Sequence, residues 1–129
     1  MHRIVFLAIL AASPVAAQDA ALGKAIYDRY CATCHGAEAR GDGPMAPSLL
    51  LQPPDLTKLA ARNDGVLPVT RIVTRIDGRE PLVSHGSPMP IYGDFFAGTD
   101  VPTKSETGQP IMTSEPILHL LAWLSGIQE

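Results

Sequence analysis

Apolar side chains in this chain fall mostly at helical spacing. Leu22, Ala25, Ile26 and Tyr30 recur every three or four positions behind Asp19, a residue suited to capping a helix, and predict a helix over residues 20–31. Asp55 is placed to cap a short helix over residues 56–63. After Gly65, Pro68 suits a first turn, and Val69, Ile72, Val73 and Ile76 make one stripe that stops at Asp77-Gly78. A closing helix begins near Ser114 to Pro116 and runs to about Gln128. Ile117, Leu120, Leu121 and Leu124 form its buried face, with Leu118 and Trp123 widening it. Residues 79–112 read as a long loop, because Pro81, Pro88, Pro90, Pro102 and Pro110 interrupt them. Strand-like alternation is weak throughout, so the expected fold class is all-α, with about four helices joined by Pro- and Gly-rich loops.

The first residues follow a different pattern. Arg3 precedes a short apolar run over residues 4–12, Ser13-Pro14 breaks it, and Val15-Ala16-Ala17 offers small residues before Gln18. That is the layout of a cleavable secretory signal over residues 1–17, leaving a single domain over residues 18–129. The run is well short of the roughly 20 residues needed to span a bilayer, so the chain is not expected to be membrane-spanning.

Cys31-Ala32-Thr33-Cys34-His35 carries the chemistry. Two thiols three positions apart can add to the two vinyl groups on one porphyrin edge, and the next side chain is then aimed at the iron. Other uses of the pair fit less well. A thioredoxin-like pair belongs between a strand and a helix, whereas here a helical pattern leads in and a Gly-rich loop follows. Zinc needs about four ligands, and no second Cys/His pair stands at a suitable spacing. A disulfide between such close cysteines closes too short a loop to stabilise much. The expected cofactor is one covalently bound haem c, held through Cys31 and Cys34 with His35 on the iron.

Composition adds to this picture. Aromatic residues make up only 5% of the chain, which suits a core whose main flat apolar body is a cofactor. Without Arg3 there remain 9 basic side chains against 13 acidic ones. That balance argues against nucleic-acid binding and favours partners with basic docking surfaces.

In order along residues 18–129, the chain resembles class I c-type cytochromes. The resemblance rests on Gly23 and Tyr27, the CxxCH motif, Ala46-Pro47-Ser48-Leu49, Ser87-Pro88-Met89-Pro90 and Leu120-Leu121-Ala122-Trp123-Leu124. It implies the cytochrome c fold, with first and last helices crossing where Gly23 meets Trp123. It also implies that the Pro47 carbonyl orients His35, with Pro44 as competitor, and that Leu49 makes an apolar haem contact. Met89, bracketed by prolines, stands where the distal iron ligand is expected. His85 is the alternative, Met45 and Met112 are weaker ones, and His119 reads as a surface residue. Residues 93–113 depart from compact relatives as an insertion between the methionine loop and the closing helix.

With His35 and Met89 closing both faces of the iron, the resemblance implies a soluble, exported, periplasmic carrier of single electrons rather than an enzyme. An electron-relay subunit of a periplasmic dehydrogenase or oxidase complex is the alternative. A ligand-binding or peroxidatic haem protein would require Met89 to leave the iron.

Overall fold

The architecture is built on a close crossing of the first and last helices. A computed structural model describes residues 18–79 and 89–129; the expected signal segment, His85 and Pro88 lie outside the described residues. Helix α1 spans Ala20–Tyr30, with the Asp19 carboxylate accepting the Ala21 and Leu22 N–H groups at its start. A one-turn helix, α2 (Ala32–His35), carries the CxxCH motif. Short 3-10 turns follow at Ala46–Ser48, Leu56–Lys58 and Ala61–Asn63. Then come α3 (Val69–Asp77), strands β1 (Asp100–Lys104) and β2 (Pro110–Ser114), and α4 (Glu115–Gly126).

The α1–α4 contact depends on one missing side chain. A Cβ on Gly23 would sit 2.5 Å from the His119 carbonyl carbon and 3.0 Å from Trp123 Cβ, and closer still to the His119 oxygen. Only glycine lets the two backbones approach so closely. One turn along, Tyr27 is 1% exposed, its ring centroid lies 4.2 Å from that of Trp123, and its hydroxyl donates to the Gly36 carbonyl at 2.6 Å. The crossing also corrects the expected face of α1. Gly23 and Tyr27 are its buried residues, Leu22 is 51% exposed and Ala25 is exposed. Apolar periodicity alone could not show that the tightest contact is made by a residue with no side chain.

Helices α3 and α4 bury the stripes expected of them. Ile72, Val73 and Ile76 join Ile117, Leu120, Leu121 and Leu124 in one core, and Gly78 closes α3 at φ 82°. His119 is not a surface residue. It is 9% exposed, and its Nδ1 accepts the Asp19 N–H at 2.9 Å, so it ties the start of α1 to α4.

The all-α expectation is corrected at residues 100–114, where β1 and β2 pair antiparallel, with Pro102 opposite Met112 and Lys104 opposite Pro110. A two-stranded ribbon offers each strand an edge where proline's missing N–H loses no ladder bond, so prolines did not exclude strands here. The expected helix over residues 56–63 is likewise replaced by two 3-10 turns, the first capped by the Asp55 carboxylate on Thr57 N–H.

Candidate functional site

The CxxCH turn is a direct continuation of α1. Cys31 ends that helix in helical geometry, its N–H still bonded to the Tyr27 carbonyl at 2.8 Å. The His35 N–H returns to the Cys31 carbonyl at 2.9 Å, closing one turn, and Gly36 breaks it at φ 85°, ψ 158°. Both thiols are free and half-buried. Burial pushes the Cys31 thiol up to about 11, with Cys34 adding to the shift.

The loop after the motif folds back over it. Gly41 N–H bonds to the His35 carbonyl at 2.8 Å, Gly43 N–H to Cys34 at 3.2 Å and Met45 N–H to Thr33 at 3.0 Å. A Cβ on Gly43 would lie 2.5 Å from the Thr33 oxygen and 2.6 Å from the Cys34 carbonyl. What reads in sequence as a turn-rich stretch is a glycine-dependent seal on the attachment turn.

His35 is 8% exposed, and its Nδ1 lies 3.4 Å from the Pro54 carbonyl oxygen. Burial lowers its pKa, and the Pro54 contact opposes that shift. A neutral ring with Nδ1–H toward Pro54 leaves Nε2 as the basic nitrogen. This corrects the expected acceptor: Pro54, not Pro47, faces the ring. Pro47 is exposed within its 3-10 turn, and Leu49 is half-buried just after it. The difference arises because the return of the chain to His35 comes after the 46–48 turn, where Leu56 N–H bonds to Ala39 at 2.7 Å. Sequence offset could not choose between successive proline-containing loops.

Met89 is half-buried and packs against the main core, whereas Met45 and Met112 are 45% and 46% exposed. Next to it the structure gathers a set of rings that the sequence reading did not single out. Tyr92 stacks on Phe96 at 5.2 Å, Tyr30 meets Phe95 and Phe96 edge-on, and the Tyr92 hydroxyl donates to the Tyr30 carbonyl at 3.1 Å. Burial raises the Tyr92 phenol, with Cys31 and Cys34 contributing, so this cluster borders the attachment turn. The signal was present: Tyr92, Phe95 and Phe96 crowd into five positions of an aromatic-poor chain.

The donor set fits a haem. Two free thiols and a neutral, backbone-oriented imidazole lie on one helical turn, and together they can supply two thioether links and one axial nitrogen. Among the described residues no cluster of three or more His, Cys, Asp or Glu side chains could hold a metal ion by itself. No helix among them is long and apolar enough to cross a membrane.

Comparison with known proteins agrees with this chemistry. A stretch of 33 residues is 58% identical to cytochrome c-554(547) of Halothiobacillus neapolitanus. It covers 26% of this chain and 35% of that relative, so the match spans about a third of the relative's length. No solved structure matches the chain. The model of the family described as cytochrome c matches residues 20–127, from the first residue of α1 to the residue that caps α4. Since that match takes in the helix crossing and the attachment turn together, the chain belongs to the cytochrome c family.

Proposed function

We propose that this protein is an exported, mono-haem c-type cytochrome that carries single electrons between redox proteins in the periplasm. The observation that supports the reading best is the α2 turn, where Cys31, Cys34 and His35 are presented together and His35 is held neutral and oriented. A haem bound there supplies reversible one-electron iron chemistry. The chain's own residues do the rest. Cys31 and Cys34 tether the group, Pro54 fixes the imidazole tautomer, and the 41–45 loop covers the tether. Met89 is the proposed distal ligand, and its partial burial against the core distinguishes it from the exposed Met45 and Met112. With His35 and Met89 both holding the iron, such a group would favour electron transfer over bond-making chemistry. The acidic balance of the sequence supports partners with basic docking surfaces.

The visible and near-infrared spectrum of the holoprotein tests this reading. Met89→Ala should abolish the sulfur–iron charge-transfer band and admit exogenous ligands, while Met112→Ala and Met45→Ala leave the spectrum unchanged. Loss of the band in Met112→Ala alone would move the distal ligand there, and a low-spin wild-type spectrum that lacks the band and is unchanged in all three variants would point to His85. Haem that survives acid–acetone extraction from the Cys31→Ala, Cys34→Ala double variant would refute covalent attachment at this motif.

A further inference from the structure

The Pro54 carbonyl that faces His35 sits in a segment anchored toward the motif by the Leu56 N–H on the Ala39 carbonyl at 2.7 Å and by the Gln52 side chain on the Gly41 carbonyl. Pro53 and Pro54 are adjacent and neither has an N–H to donate. Further support comes from the other end of the chain. The Gln128 side-chain amide donates to the Leu56 carbonyl at 2.9 Å and to the Leu124 carbonyl at 2.7 Å, and accepts the Ala60 N–H at 2.9 Å. One partly buried amide therefore joins the last turn of α4 to both ends of the 56–60 stretch. The Glu129 N–H adds a bond to the Thr57 carbonyl at 2.9 Å. The Glu129 carboxylate also meets Arg40 at 2.8 Å and Lys58 at 2.9 Å, but these pairs are exposed and such pairs contribute little.

We infer that Gln128 is a positioning residue for His35: by holding Leu56 it keeps the Pro54 carbonyl on the imidazole Nδ1–H. The inference rests on the reading of His35 as the axial ligand. At 3.4 Å the Nδ1 contact is already at the long end of hydrogen bonding, so a small outward movement of Pro54 removes it. An imidazole that loses its outer acceptor becomes a weaker donor to iron and stabilises the oxidised state less. Releasing the tether therefore raises the reduction potential.

The test is spectroelectrochemical titration of the holoprotein, with solvent exchange of the His35 Nδ1 proton followed by NMR. Gln128→Met keeps the side-chain volume and removes all three bonds. It should raise the potential by roughly the equivalent of a tenfold change in the reduction equilibrium, ~59 mV for one electron, and speed Nδ1 exchange. Gln128→Glu keeps only the acceptor toward Ala60 and should shift the same way; it supplies the measurement if Gln128→Met yields no holoprotein. Ile72→Val, in the core of α3, should lower the melting temperature and leave the potential unchanged, as should Glu129→Gln for the potential. A Gln128 variant that loses stability while keeping the wild-type potential and exchange rate would overturn the inference. If His35→Ala retains the wild-type low-spin spectrum, the ligand assignment beneath it fails instead.

Discussion

Gly23→Ala sets two effects of opposite sign against each other. On helix propensity alone, alanine should stabilise the middle of α1 by about 1 kcal/mol. The crossing reverses the sign, because the new methyl would overlap the His119 carbonyl and press on Trp123 Cβ at 3.0 Å. The obstructing atoms are mostly backbone of α4, which cannot rotate aside, so the helices must separate. Overpacking of this kind costs about 1–3 kcal/mol, and separation also loosens the Tyr27–Trp123 stack, worth roughly 1 kcal/mol. The net expectation is a loss of about 2 kcal/mol, or roughly 8 °C in melting temperature for a domain of this size. Gly126 provides the internal comparison, since it lies in α4 with nothing within 4 Å of an added Cβ. Gly126→Ala should gain a few tenths of a kcal/mol, less than a mid-helix position because it sits in the last turn. Thermal denaturation of both ferric holoproteins by circular dichroism decides the matter. A Gly23→Ala protein as stable as wild type, or more so, would show that α1 and α4 do not approach as described.

Tyr27→Phe should keep the ring contact with Trp123 but remove one of the two donors to the Gly36 carbonyl, which keeps the Ala39 N–H at 3.1 Å, at a cost of about 1 kcal/mol read from the same melting curves. Acid should destabilise the fold through Asp55, Glu106 and Glu129, all held below the ordinary carboxylate range: Asp55 chiefly by its Thr57 hydrogen bond, Glu106 by the Thr70 N–H, Glu129 by Lys58 and then Arg40. Because their pKa values are lower in the folded state, their contribution is complete above the unfolded value of about 4 and lost as pH falls through the folded ones. Because Glu106 and Glu129 are exposed and Asp55 is only half-buried, the effect is small. Melting temperature measured from pH 6 to pH 2 should fall modestly below about pH 4, and Glu129→Gln should flatten that limb slightly; an unchanged slope would remove Glu129 from the account.

Much of the site was legible because its residues are consecutive. Cys31, Cys34 and His35 announce their use by spacing, and Asp19, Gly78 and the α4 stripe mark helix ends and faces by local chemistry. Gly23 was readable only by resemblance, since nothing local says that a helix glycine faces another backbone. Pro54 was missed because the partner of His35 is chosen by where a loop returns, and several prolines stood within reach in sequence. The hairpin was missed because Pro102 and Pro110 suppress a strand reading that depends on both edges being paired. Gly108, at φ 82° in the connection between β1 and β2, was its available signal. His119 looked like a surface position because its partner, the Asp19 N–H, is a backbone group 100 residues away.

The coverage of the attachment turn also fixes an order of assembly. Burial in this fold raises the Cys31 thiol, and the backbone of Gly43 packs on the Cys34 carbonyl. Joining vinyl groups to sulfur is easiest when both thiols are exposed and readily ionised, and in this fold both are half-buried and the Cys31 thiol is raised. A haem joined at this motif would therefore attach more readily to the open chain, with folding as the sealing step. A variant engineered to close this loop early would be more stable and less completely matured, so the yield of holoprotein sets an upper limit on how well the empty chain is allowed to fold.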